Sequence, residues 1–160
     1  MLLADLLLEH NIDVHRYLYL AKSKFYNYQV FNSLAPSVIE DDFSIHIRQP
    51  LDLEAMQDAI KLFIGKHDFS SFRAHGCQAN KPLRTIDEAS IDIKGNKIIF
   101  VFKAQSFLYQ QIRIMVGSLL EVGLKNKNTS WISELIEAKD RSLAGPTVPS
   151  KGLILKEISY

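Results

Sequence analysis

Cysteine is nearly absent from this 160-residue chain, and Cys77 is the single one. One thiol cannot build an intrachain disulfide framework or a multi-thiolate metal site, and it suits a reducing, cytoplasmic setting. A dominant charge is missing too: 19 basic residues stand against 18 acidic ones, a formal net charge of +1. That balance gives no support to a nucleic-acid binder recognised by overall basicity. The apolar opening at residues 1–8 is brief, carries Asp5 and lacks a basic flank. Neither a signal peptide nor a membrane span is expected from it. No glycine-rich phosphate cradle precedes a helix, so no nucleotide cofactor is expected. Ser70 and Ser71 stand outside any G-x-S-x-G elbow, which leaves a hydrolase without its nucleophile turn. His67, Asp68, His75 and Cys77 follow no common zinc spacing, so no metal is expected either. No internal repeat or low-complexity segment interrupts the chain.

What remains is ordinary globular material, 47% hydrophobic and 23% charged, long enough for one domain with a real core. Residues 23–32 alternate as a strand rich in aromatics, with Tyr26, Tyr28 and Val30 on one face. A short strand is expected at 43–48. Asp52 is placed to cap a helix whose buried stripe is Leu53, Met56, Ile60 and Phe63, stopped by Gly65. Residues 66–84 have no periodicity and read as a long loop, a length uncommon without a function. Residues 85–94 and 97–104 form a hairpin around Gly95-Asn96. An apolar helix carrying Arg113 runs up to Gly123. Thr129 or Ser130 caps another helix from Trp131 to about Lys139, and a last strand covers 153–160. Hairpin-paired strands with intervening helices give an α+β fold, an antiparallel sheet with helices packed on one face. Residues 1–20 form an atypical N-terminal stub before a domain at 21–160.

Arg113 is the only charged residue between Lys103 and Glu121. A guanidinium keeps its proton, so this apolar segment must give it a partner or a watery edge. On a helical wheel it shares a narrow stripe with Ser106, Tyr109, Gln110 and Gly117. Two readings stay open: one cation aimed at an anionic group, or an ordinary arginine on the wet edge of a core helix. The 66–84 segment likewise has two readings. It gathers Lys66, His67, Arg73, His75, Lys81 and Arg84 against Asp68 alone, either as a local anion site or as a solvated loop pinned by Phe69 and Phe72. Tyr26 is either a core aromatic or a platform on which a base stacks.

Five segments then occur in order: residues 21–28 (AKSKFYNY), 65–73 (GKHDFSSFR), Arg84-Thr85, 107–123 (FLYQQIRIMVGSLLEVG) and 152–160 (GLILKEISY). Together they resemble the C-terminal half of the TruA-type tRNA pseudouridine synthases, across residues 21–160. The resemblance implies a pseudouridine synthase-like fold. It also implies an isomerase that converts uridine to pseudouridine in the tRNA anticodon stem-loop without metal or organic cofactor, usually as a homodimer. By motif position Tyr26 resembles the tyrosine that stacks on the flipped base, and Arg113 the arginine that pairs with the nucleophilic aspartate. Leu153 and Leu155 resemble the apolar lining of the pocket. Lys66, Arg73 and Arg84 lie toward RNA phosphates in that comparison.

The family's aspartate sits in an Arg-Thr-Asp-x-Gly-Val stretch well before the stacking tyrosine, and nothing in this sequence matches it. Arg84-Thr85-Ile86-Asp87 has an extra residue, no Gly-Val after it, and falls in the wrong half. The expected His-x-Arg-Phe lead-in is replaced by His15-Arg16-Tyr17-Leu18. The expectation is therefore half a site, inactive alone and completed by a separate N-terminal half. The alternative is a non-catalytic RNA-binding or assembly module, or a truncated remnant.

Overall fold

The computed structural model describes residues 20–39 and 42–160. All but the last residue of the expected 1–20 stub lie outside them. Six strands form one sheet: β1 (Ser23–Asn32), β2 (Ile45–Ile47), β3 (Gly65–Asp68), β4 (Leu83–Lys94), β5 (Lys97–Ala104) and β6 (Leu153–Ser159). The order is β2-β1-β5-β4-β3, with β6 also paired to β1. β2 and β6 share one edge of β1: β6 pairs antiparallel with Ser23–Tyr28, and β2 parallel with Val30–Asn32. Among the described residues that parallel pair is the one departure from an antiparallel sheet.

The period-two reading of β1 holds. Tyr28 and Val30 are fully buried and belong to the same core cluster as Ile91, Phe100 and Phe102 on neighbouring strands. Among the described residues three helices follow the sequence: α1 (Leu53–Ile60), α2 (Gln111–Gly123) and α3 (Trp131–Ala138). Met56 and Ile60 of α1, Ile114 and Met115 of α2, and Ile132 and Leu135 of α3 all bury into that cluster. The helices thus cover one face of the sheet, as an α+β fold requires.

Capping followed the sequence at one helix and not at another. The Asp52 side chain accepts from the backbone N–H of Ala55 at 3.0 Å, satisfying one orphan donor of α1. Asp52→Ala is expected to cost about 1 kcal/mol, read as a lower urea midpoint with an unchanged slope. At α3 Ser130 occupies the cap position but makes no capping bond. Asn128 does it instead, its Oδ1 accepting from Trp131 N at 3.1 Å.

Residues 66–84 are not one long loop. Gly65–Asp68 pairs with Leu83–Ile86 as the edge strand β3, and Ser70–Phe72 forms a 3₁₀ turn. Their aperiodic sequence follows from an edge strand only four residues long, followed by a turn whose aromatics face inward. Phe69 and Phe72 are fully buried beside Phe63, with rings 6.4 and 5.1 Å from it. The Arg113 helix also starts later than the wheel assumed. Gln110 is left-handed, at φ 59°, so Ser106, Tyr109 and Gln110 belong to the connection before α2.

Candidate functional site

Every residue of α2 is buried except Arg113 and Glu121. A helix so enclosed needs close neighbours on all sides, and a strap at residues 145–149 supplies the last of them. Gly145 N donates to Ser118 Oγ at 3.0 Å, and the Pro146 carbonyl lies against Gly117 so tightly that a Cβ there would sit 1.8 Å from its oxygen. Arg113 and Val148 bond reciprocally: Arg113 Nε donates to Val148 O at 2.7 Å, and Val148 N to Arg113 O at 3.3 Å. Tyr28 OH then donates to Pro149 O at 2.5 Å. One edge of the guanidinium is fixed in this way by backbone. Its remaining N–H groups form a planar fork suited to a carboxylate.

Arg113 lines a cleft of about 250 Å³ together with Lys24, Tyr26, Leu153 and the 107–112 stretch. Three further elements meet α2 there. β1 presents Lys24 and Tyr26 two residues apart, hence on one face. β6 begins with Leu153, paired to Tyr28. The 105–110 connection brings Phe107, whose ring meets Tyr26 edge-on at 5.5 Å and 86°. That contact braces the plane of the tyrosine ring. The left-handed Gln110 ends the connection, and the buried Gln111 side chain accepts from Leu108 N at 2.7 Å to hold it. A non-glycine residue in this region costs about 1–2 kcal/mol, offset by those bonds.

Burial raises the pKa of Tyr26. Burial raises that of Tyr28 further, against the opposing pull of the Arg113 cation. Both phenols therefore stay protonated at neutral pH. No lining residue of the cleft is acidic, and no carboxylate among the described residues pairs with Arg113.

Of the expected site residues, Tyr26, Arg113 and Leu153 come together. Leu155 pairs in register with Tyr26 but lies outside the cleft lining and is 41% exposed. Lys66 and Arg84 line a second cleft, of about 390 Å³, with Lys22, Thr85, Asp87, Gln105 and Ser106. Arg73 stands apart from both. Its Nη2 donates to the carbonyls of Cys77 and Ala79, bracing its own loop, and it lines a third hollow with His75, Cys77 and Arg141. The Cys77 thiol there has a lowered pKa; burial opposes the shift, and hydrogen bonds from Tyr109, Ala79 and Arg73 with the Arg73 charge outweigh it. Among the described residues no three His, Cys, Asp or Glu side chains gather as metal ligands, and no helix is long and apolar enough to cross a membrane. Sequence reasoning missed Lys24 and Phe107. The signal for Lys24 was present, two positions before Tyr26 on the same strand face.

The sequence that builds this sheet and cleft is matched among known proteins. A family model described as tRNA pseudouridine synthase matches residues 59–160, and the chain belongs to that family. The tRNA pseudouridine synthase A of Acidiphilium cryptum (strain JF-5) is 41% identical over 140 residues, 88% of this chain and 55% of the relative. That of Wolbachia pipientis wMel is 41% identical over 140 residues, covering 88% and 57%. That of Acetivibrio thermocellus is 39% identical over 152 residues, covering 95% and 62%. The chain thus spans a little over half the length of these curated relatives.

Proposed function

We propose that this chain supplies the base-stacking and arginine half of a pseudouridine synthase site acting on uridines of the tRNA anticodon stem-loop, and that it makes no pseudouridine alone. The carrying observation is the Tyr26–Arg113 cleft, which has an aromatic floor and a fixed cation but no carboxylate in its lining. A base flipped from its stack needs a flat apolar surface to rest on. Tyr26 offers a ring held edge-on by Phe107, with Leu153 as an apolar wall. A carboxylate that attacks as a nucleophile must be ionised, and a permanent cation in hydrogen-bond reach favours that form. Arg113 can meet it with two parallel N–H groups. Isomerising uridine has no net redox change, so the chemistry needs no organic cofactor.

In this reading the aspartate arrives on another segment, an N-terminal half absent from this sequence. Support comes from the open side of the cleft, where the lining residue Tyr109 is 56% exposed. Lys66 and Arg84 then face the RNA backbone, while Arg73 shapes the loop that follows β3.

The test is incubation of the purified chain with unmodified tRNA. Salt-dependent binding without pseudouridine is expected. Pseudouridine at an ordinary enzymatic rate overturns the half-site, and absence of any tRNA binding overturns the RNA reading. The bare cleft also favours a second reading, a non-catalytic RNA-binding or assembly module. Joining the remaining segment of the Acidiphilium relative to this chain separates the two, since turnover appears only under the first.

A further inference from the structure

Tyr28 is fully buried in the apolar core, where a hydroxyl must find a partner. Its neighbour across the β1–β5 pair is Phe100, fully buried with no polar atom on its ring. Packing at this level of the sheet therefore asks for an aromatic ring but not for a phenol. The hydroxyl leaves the core at one point, donating to Pro149 O at 2.5 Å. The ring is confined from the side of the chain that follows: a Cβ on Gly152 would lie 2.7 Å from Tyr28 Cζ and 2.9 Å from Cε1. Burial raises the pKa of the phenol, so it remains a donor across the neutral range. The Arg113 cation opposes that shift, so the two groups are close enough to feel one another.

Val148 and Pro149 are consecutive, and their carbonyls serve different partners. Val148 O accepts from Arg113 Nε at 2.7 Å, and Pro149 O accepts from Tyr28. The peptide between them is planar, and the proline ring locks φ, here at −56°. One free torsion, ψ at Pro149, thus separates the two carbonyls. A hydroxyl that anchors one of them limits the other. The start of the strap is held independently, by Arg141, which donates to Gly145 O at 3.0 Å and to Thr147 Oγ1 at 3.1 Å. Arg141 sets where the strap begins and Tyr28 where it ends, with Val148 between them. Tyr26 and Tyr28 also share one face of β1, about 7 Å apart at strand spacing. A single strand then carries both the aromatic floor of the cleft and the hydroxyl that reaches its cation.

We propose that Tyr28 is a positioning residue of the site: its hydroxyl, acting through the Pro149 carbonyl, holds the Val148 carbonyl where it presents the Arg113 fork to the cleft. The proposal rests on the arginine reading of the Tyr26–Arg113 cleft and deepens it. Tyr28 lies outside the cleft lining and touches neither base nor nucleophile. It acts on the arginine through two backbone carbonyls.

The test has two arms. The first uses the full chain by itself, isotopically labelled for NMR, and reads solvent exchange of the Arg113 Nε–H. Tyr28→Phe keeps the ring and removes only the hydroxyl. It is expected to speed that exchange about tenfold, the factor to which the net worth of one hydrogen bond corresponds. Thr147→Val removes an acceptor from the strap away from Val148 and Pro149, and should lower Tm while leaving the exchange unchanged. Pro149→Ala, at an exposed position, keeps the acceptor and frees φ. It should speed the exchange by a smaller factor, and it reports even if Tyr28→Phe does not fold. Exchange at the wild-type rate in Tyr28→Phe, or in Pro149→Ala where Tyr28→Phe does not fold, overturns the proposal. Equal acceleration in Thr147→Val overturns it too, since the hydroxyl would then add only to the general stability of the strap.

The second arm joins this chain to the part of the Acidiphilium relative that it does not match. There Tyr28→Phe should lower kcat about tenfold with KM unchanged, and add no further loss to Arg113→Gln. A loss that adds in full to that of Arg113→Gln overturns the route through the arginine. If the joined wild type makes no pseudouridine, the uridine reading fails, and the exchange arm still decides whether Tyr28 holds the arginine.

Discussion

Gly117→Ala is expected to destabilise the fold by about 3 kcal/mol, which for a chain of this size lowers Tm by about 10 °C. A methyl group at residue 117 would lie 1.8 Å from the Pro146 oxygen and 2.9 Å from its carbonyl carbon, both backbone atoms. No side-chain rotation relieves that contact, so helix and strap must separate by well over an ångström. Separation strains three bonds together: Gly145 N to Ser118 Oγ, Arg113 Nε to Val148 O, and Val148 N to Arg113 O. Each contributes roughly 0.5–1.5 kcal/mol. Against the loss stands the better helix propensity of alanine, about 1 kcal/mol. Gly123→Ala on the same helix gains the same propensity but meets Met56 Sδ at 2.5 Å, the far end of a flexible side chain. It should cost much less. Thermal unfolding of the two variants side by side decides the matter, and equal losses would sink the account of the strap.

The strap also shows which parts of this molecule its sequence makes legible. Strand β1, the Gly95-Asn96 hairpin and the Asp52 cap could be placed from local rules, because each depends on residues within a few positions of itself. The aromatic alternation of residues 25–31 needs only period two to choose a buried face. Residues 66–84 resisted, because a four-residue edge strand has too few positions to show a period, and its pairing partners lie 15 to 21 positions away. The start of α2 was misplaced for a different reason. The apolar pattern runs smoothly back through Phe107 and Leu108, and only the left-handed Gln110 interrupts it. Tyr26 and Arg113 were found by motif, but the reason they share a cleft is tertiary. The Arg113 side chain is aimed by Val148, 35 positions later, and the phenol of Tyr28 by Pro149, 121 positions later. The meeting of Lys22 with Lys66 and Arg84 in the second cleft escaped notice for the same reason, because these residues converge only where β5 stops.

Joined to the part of the Acidiphilium relative that it does not match, this chain is expected to form pseudouridine, and Arg113→Gln to slow that reaction about a hundred- to a thousandfold. The range is what removing one preorganised electrostatic partner at a reacting centre usually costs. The loss should fall on kcat rather than KM under the proposed reading, in which the arginine meets the nucleophile and the RNA is held elsewhere. Arg113→Lys should recover little of it. Lysine keeps the charge, but it has no Nε edge to donate to the Val148 carbonyl and no planar fork to match a carboxylate. A pH profile distinguishes this from a merely structural role. A carboxylate that loses its cation ionises less readily, so its pKa rises. The acid limb of the Arg113→Gln profile must then shift to higher pH, with the activity lost as pH falls through the raised value. A variant that is slow at every pH with an unmoved acid limb would mean that Arg113 braces the strap and does not hold the nucleophile. An unchanged Tm in Arg113→Gln with a shifted limb would place its role in the chemistry.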